Sequence, residues 1–166
     1  MKFLSLLILL AISSCTTSNR YCLELRDCQS KSVGLDSEIL FSSIDYVENK
    51  LLNNGYLSSQ SRESYVLLID SLAKMDENII LNLFEDRGLL PWTFIFQVSN
   101  SCPNNVFQSD SDDAFESEYL LIVSKLEYVG YKSPSLVEEL VMTIPEDLFK
   151  NVEYRLPILT YMSVLN

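Results

Sequence analysis

Residues 36–54 read DSEILFSSIDYVENKLLNN, and this stretch has the clearest periodicity in the chain. Its apolar residues return to one side at the period of an α-helix: Ile39, Leu40, Ile44, Val47, Leu51 and Leu52. Asp36 or Ser37 can cap the first turn, because a short polar side chain accepts hydrogen bonds from the free amides there. Gly55 follows at the position where helices commonly end in a left-handed residue. The stretch therefore predicts a capped amphipathic helix.

The same features recur along the rest of the chain. Four more helices are predicted from such features: 63–75 from its apolar face, 77–86 capped by Asp76 and followed by Gly88, 114–129 followed by Gly130, and one that opens at Ser133-Pro134. Residues 145–147 have the composition of a further helix start. Segments 91–98 and 152–165 are largely apolar, so each fits either a buried helix or a strand, and 100–113 is predicted to be a loop.

These segments predict a mainly α fold. We expect a single compact domain of about five to six helices in hairpins, with room for one or two short strands, and an α+β fold is the alternative. A mature chain of roughly 150 residues is long enough to bury a core without help from metal ions or disulfides.

The charge balance of the chain is acidic. Twelve lysines and arginines stand against 23 aspartates and glutamates, for a net charge of −11. Because no basic patch is present, nucleic acid is not an expected partner, whereas a basic protein is. The alternative explanation of the acidity is solubility alone.

Histidine is absent from the sequence. This excludes Ser-His-Asp triads, Cys-His catalysis and histidine-ligated zinc, and it removes the commonest general base near neutral pH. We therefore expect a protein that is not an enzyme. A carboxylate-based hydrolase is the least favoured of the functions we consider.

The first fifteen residues read MKFLSLLILLAISSC. A positive Lys2, an apolar run and two small residues form an export signal that is too short to span a membrane. The last four residues, Ile12-Ser13-Ser14-Cys15, resemble the lipobox of bacterial lipoproteins. The resemblance implies cleavage before Cys15 and a diacylglycerol on its sulfur. Two or three acyl chains anchor firmly, since each buried methylene contributes about 0.8 kcal/mol.

This resemblance sets the expected organisation of the chain. Residues 1–14 are the signal peptide, 15–35 the lipidated cysteine with a tether and N-terminal arm, and 36–166 the helical globular domain. The expected location is the bacterial envelope, at the outer membrane and facing the periplasm, with the membrane as partner through the lipid. No cofactor beyond the covalent lipid is expected.

Three cysteines remain in the mature chain: Cys22, Cys28 and Cys102. The exported compartment permits disulfides, and the sequence allows three pairings. We favour Cys28–Cys102, because closing the longer loop stabilises more in the chain-entropy treatment. Cys22–Cys28 is the alternative.

Residues 109–113, SDSDD, have a composition similar to that of a calcium-binding loop. Counted from Asp110, however, the glycine and glutamate that an EF-hand needs are replaced by Phe115 and Leu121, so no metal site is expected. The better candidates for contact with a protein partner are exposed acids and one aromatic residue: Trp92, Asp110, Asp112, Asp113, Glu138 and Glu139.

The favoured function is a non-enzymatic protein-binding module, for instance an immunity or inhibitor lipoprotein that occludes a secreted toxin. The alternative is a structural or accessory lipoprotein of an envelope complex.

Overall fold

The computed structural model describes residues 17–89, 95–107 and 114–165. Within these ranges the backbone forms nine α-helices, one π-helix and no strand, which confirms the mainly α class. In chain order the elements are α1 Thr17–Val33, α2 Ser37–Asn53, α3 Arg62–Leu72, α4 Ile79–Asp86, the π-helix Ile95–Ser101, α5 Cys102–Val106, α6 Ala114–Tyr128, α7 Pro134–Thr143, α8 Glu146–Phe149 and α9 Val152–Met162.

Helix α9 is the centre of the fold. Every residue from Glu153 to Met162 is buried, and α1, α2, α7, α8 and the π-helix all pack against it. A helix that is enclosed on every side has no polar face. For this reason the sequence of 152–165 gave no periodic signal, although the segment is helical through Pro157.

The other helices pack around α9 and against one another. Helix α7 packs against both α3 and α6, while α1 packs against α2, α5 and the π-helix. Helix α2 also packs against α4. Helices α1 and α7 both contact α9.

Side-chain caps set several helix starts. The Asp36 side chain accepts a 2.8 Å hydrogen bond from the Glu38 amide, and the Ser133 hydroxyl accepts one from the Leu136 amide at 3.4 Å, as the sequence predicts. The cap of α4 is Asn78 and not Asp76. Asn78 accepts from two amides of α4 and also donates to the Met162 carbonyl at 2.8 Å. The amide group is favoured here because it can accept and donate at once.

The segment predicted as a tether and N-terminal arm differs in the structure. From Thr17 onward it is helix α1, with Cys22, Leu25, Gln29 and Ser30 buried. Only one of these residues is a large aliphatic side chain, so the inward face is hard to detect from hydrophobic periodicity.

The loop predicted over 100–113 is also wrong in its first half. The π-helix runs to Ser101 and α5 follows directly. Pro103 lies in the first turn of α5, where its missing amide hydrogen has no cost. These short elements bring the helix number above the five to six expected.

Candidate protein-binding surface

Helices α3 and α7 run antiparallel, and Arg62 fixes their register. Its Nη1 donates to the carbonyls of Met142 and Ile144, at 3.4 and 3.2 Å. Nη2 of the same guanidinium lies 4.0 Å from an oxygen of Glu146. The start of α3 is thereby held at the end of α7, so that the second half of α3 lies beside the first half of α7.

Asp70 and Glu138 lie close together where the second half of α3 meets the first half of α7. Burial raises the pKa of the Glu138 carboxyl, and the negative charge of Asp70 and a hydrogen bond between the two carboxyl groups raise it further. Among the described residues, no lysine or arginine nitrogen lies within 4.0 Å of either carboxylate. Two adjacent carboxylates repel each other when both are ionised, and a cation placed between them would remove that repulsion.

Two apolar side chains are exposed between the ends of this helix pair. Leu67 on α3 is 63% exposed and Met142 on α7 is 52% exposed. In the sequence, Leu67 lies between Glu63 and Asp70, and Met142 lies between Glu138 and Glu146. We call the set the α3–α7 surface; its members are Glu63, Leu67, Asp70, Glu138, Met142 and Glu146. An apolar centre with a charged rim is the usual anatomy of a protein interface.

A buried polar network holds α3 in place behind this surface. The guanidinium of Arg155 on α9 donates from Nε and Nη2 to the two oxygens of Glu48 on α2, at 2.6 and 3.0 Å. Tyr65 on α3 donates to the same carboxylate, as does Gln60 at 2.7 Å. Burial and the Glu48 charge raise the pKa of Tyr65 well above its ordinary value, so its hydroxyl remains the donor.

Arg155 completes its hydrogen bonds on the backbone. Its Nη1 donates to the carbonyls of Phe149 and Lys150, at 3.0 and 2.6 Å. With Glu48 it forms an ion pair in which both side chains are buried. Because the charges are paired and hydrogen-bonded, the network acts as a clamp between three helices.

A shallow groove lies on a different side, where α1 and α2 meet the start of α9. Its volume is about 470 Å³. Arg26 lies in it, with Nε 2.6 Å from an oxygen of Glu153 and the guanidinium 4.6 Å from the centre of the Phe41 ring. Burial, followed by the charge of Glu153, raises the pKa of the Cys22 thiol to about 11. The thiol is therefore protonated near neutral pH and is a poor nucleophile.

The structure separates two acids that the sequence paired. Glu138 faces Asp70 of α3, whereas the Glu139 carboxylate lies 3.4 Å from the Lys125 ammonium group on α6. Only Glu138 thus belongs to the α3–α7 surface. The other predicted contact residues lie outside the described residues: Trp92, Asp110, Asp112 and Asp113. Cys15 lies outside them as well.

Sequence reasoning missed most of the α3–α7 surface. Leu67 and Met142 sit in ordinary amphipathic helices, and only their position off the buried face marks them. No sequence feature marked Asp70 as part of this surface, because its nearness to Glu138 depends on how α3 and α7 pack. A search for apolar residues on the outer face of each predicted helix would have found the leucine and the methionine.

Two of the three cysteines in the described part of the chain form a disulfide. Cys28 on α1 and Cys102 at the start of α5 are bonded, with their Cα atoms 5.6 Å apart. Cys22 is a buried free thiol. The bond attaches α1 to α5 across 74 positions of sequence.

Comparisons with known proteins give no relative. No family model, no curated protein and no solved structure matches the chain. Over the part of the chain that the structure describes, no cluster of three or more potential metal ligands is found, and no helix is both long and apolar enough to cross a membrane. The function is therefore inferred from the surface itself.

Proposed function

We propose that this chain is a lipid-anchored, non-enzymatic protein-binding module of the bacterial envelope, and that its α3–α7 surface binds a basic partner protein. The observation that carries the proposal is the juxtaposition of Asp70 and Glu138 without a cation, beside the exposed Leu67 and Met142. The anchor is the lipid on Cys15, which places the domain at the outer membrane on the periplasmic side. No further cofactor takes part.

The mechanism is occlusion of the partner's surface. A lysine or arginine of the partner enters between Asp70 and Glu138 and relieves their repulsion, while an apolar partner side chain covers Leu67 and Met142. The net charge of −11 accelerates the encounter with a basic protein, because the field acts before contact. If the partner is a secreted enzyme with a basic active-site rim, the module is its inhibitor or immunity protein.

A second candidate function is favoured by α6. Leu121 and Tyr128 are both exposed on this helix, and Tyr128 is exposed to 93%. Seven residues are nearly two helical turns, so the two side chains project from the same side. An apolar stripe of this kind suits a structural or accessory lipoprotein that packs into a larger envelope assembly.

The two functions are separated by a cross-linked capture with residues 16–166. The bait is compared with the Leu67→Asp variant and with the matched Leu121→Asp variant, since Leu121 is 55% exposed on the other candidate surface. Circular dichroism first verifies that all three baits have the same helical content.

We expect the wild-type and Leu121→Asp baits to recover one stoichiometric basic protein from envelope extract or culture supernatant, and the Leu67→Asp bait to lose it. Recovery should weaken as salt is raised. A multicomponent assembly that is lost only with Leu121→Asp would instead establish the accessory function. A partner that both variants retain, or no partner at any salt concentration, would contradict the proposed surface.

A further inference from the structure

Helix α1 begins very close to the proposed lipid attachment. Its first residue is Thr17, two positions after Cys15. An extended chain spans at most about 3.6 Å per residue, so the two Cα atoms lie within about 7 Å of each other. In the sequence only Thr16 separates Cys15 from the first residue of the helix.

Helix α1 cannot swing independently of the domain. The disulfide from Cys28 attaches it to α5, and Arg26 forms an ion pair with Glu153 of α9 at 2.6 Å. Gln29 makes a buried hydrogen bond to the same helix. An anchor at the start of α1 therefore constrains the orientation of the whole domain.

The surface near that end of α1 has a composition suited to a membrane interface. Leu23 is 64% exposed on the second turn of α1, about 9 Å along the helix axis from Thr17 at 1.5 Å per residue. It lines the groove of about 470 Å³ together with the exposed Lys150 and the half-buried Val152. The same groove is also lined by Asp45 and by the ion pair of Arg26 with Glu153. Apolar side chains next to a long cationic one can lie among lipid headgroups with the ammonium group at the phosphates.

We propose that the lipid-anchored domain rests directly on the bilayer, with the Leu23 side of α1 and Lys150 in contact with phospholipid headgroups. This inference rests on the proposed lipid anchor at Cys15.

Two labelled positions test the seating. An environment-sensitive fluorophore is attached at Leu23→Cys or at Ile39→Cys, in a Cys22→Ala background of the full, lipidated chain. Ile39 is a matched control, because it is 57% exposed and follows the far end of α1, which is 17 residues or about 25 Å long. The proteins are reconstituted in phosphatidylcholine vesicles with and without a lipid that carries a nitroxide on its headgroup.

We expect the label at position 23 to lose most of its emission in nitroxide vesicles and the label at 39 to lose little. Inserting ten Gly and Ser residues between Thr16 and Thr17 should abolish the loss at 23, since such a spacer has a mean span of about 18 Å. The spacer variant must remain bound to the vesicles.

Equal quenching at both positions, or quenching at 23 that survives the spacer, would overturn the seating while leaving the anchor intact. Failure of the anchor is recognised separately. If the chain lacks the mass of the lipid on Cys15 and does not partition into membranes, both the anchor and the seating are overturned.

Discussion

Gln29 on α1 supplies the hydrogen-bond donor that Pro157 removes from α9. Proline has no amide hydrogen, so the carbonyl four residues earlier, that of Glu153, has no partner within the helix. The Nε2 of Gln29 donates to this carbonyl at 2.8 Å, and Gln29 is fully buried. A defect in the central helix thus becomes an attachment point for α1.

Replacing Gln29 with alanine should lower the free energy of unfolding by about 1–3 kcal/mol, because a buried carbonyl is left without a donor. The measurement is urea denaturation. The matched control is Pro157→Ala, which restores the helical donor, and in that background Gln29→Ala should cost clearly less. An equal cost in both backgrounds would show that the hydrogen bond to Glu153 is not the reason.

Replacing Glu48 with glutamine should destabilise the domain by about 3–5 kcal/mol, the range for breaking a buried ion pair and leaving one charge uncompensated. Arg155 and Glu48 are both almost fully buried. The matched control is Lys31→Gln, which removes an exposed pair with Asp27 and should change stability by less than about 1 kcal/mol. Thermal or urea unfolding that ranks the two variants equally would refute the clamp.

Replacing both Cys28 and Cys102 with alanine should lower the free energy of unfolding by about 2–4 kcal/mol, since the disulfide restricts a long loop of the unfolded chain. Cys22→Ala, which removes the buried free thiol, is the control and should have the smaller effect. If a reducing agent leaves the unfolding midpoint of the wild-type protein unchanged, the disulfide does not contribute as the structure indicates.

Replacing Glu138 with glutamine should stabilise the domain at neutral pH by a few tenths of a kcal/mol, as like-charge neighbours cost about that much. The folded-state pKa of Glu138 is raised above its ordinary 4.5, so its stabilising contribution is present at low pH and lost as pH rises through the folded pKa. The gain from the variant should therefore vanish on acidification.

Glu63 on the same surface is the control for that pH series. Its contribution to stability should depend on pH in the opposite direction to that of Glu138. Its pKa is lowered by hydrogen bonds from its own backbone amide and from the Ser61 hydroxyl, so its contribution is lost as pH falls through the folded pKa. Glu63→Gln should be less stable than wild type at neutral pH and equal to it in acid. Parallel pH profiles of the two variants would contradict the Asp70–Glu138 interaction.

Amphipathic helices were the predictable part of this fold. Helix α2 begins and ends where its caps and its glycine indicate, and Ser133 opens α7 as expected. Helix α4 shows the limit of this reasoning. Asp76 and Asn78 are both good caps, and the choice of Asn78 follows from its second hydrogen bond to Met162, which is distant in sequence.

The candidate surface was predictable only in part. Glu138 stands out in sequence, but its contact with Asp70 joins residues 68 positions apart and depends on the register that Arg62 sets. The sequence could not show which of two adjacent glutamates turns toward α3 and which toward Lys125, because this depends on the rotation of α7 against its neighbours.

By itself the sequence determined the helical class, the phase of the amphipathic helices, the excess of acid and the resemblance of residues 12–15 to a lipobox. These are local or compositional properties, and each follows from a few neighbouring residues or from a count. Only the tertiary structure decided that α1 is part of the core, that α9 is its centre and that Glu48 meets Arg155. The physical reason is that a buried polar residue has no periodic signature of its own, and its position is stable only when distant segments supply its hydrogen bonds.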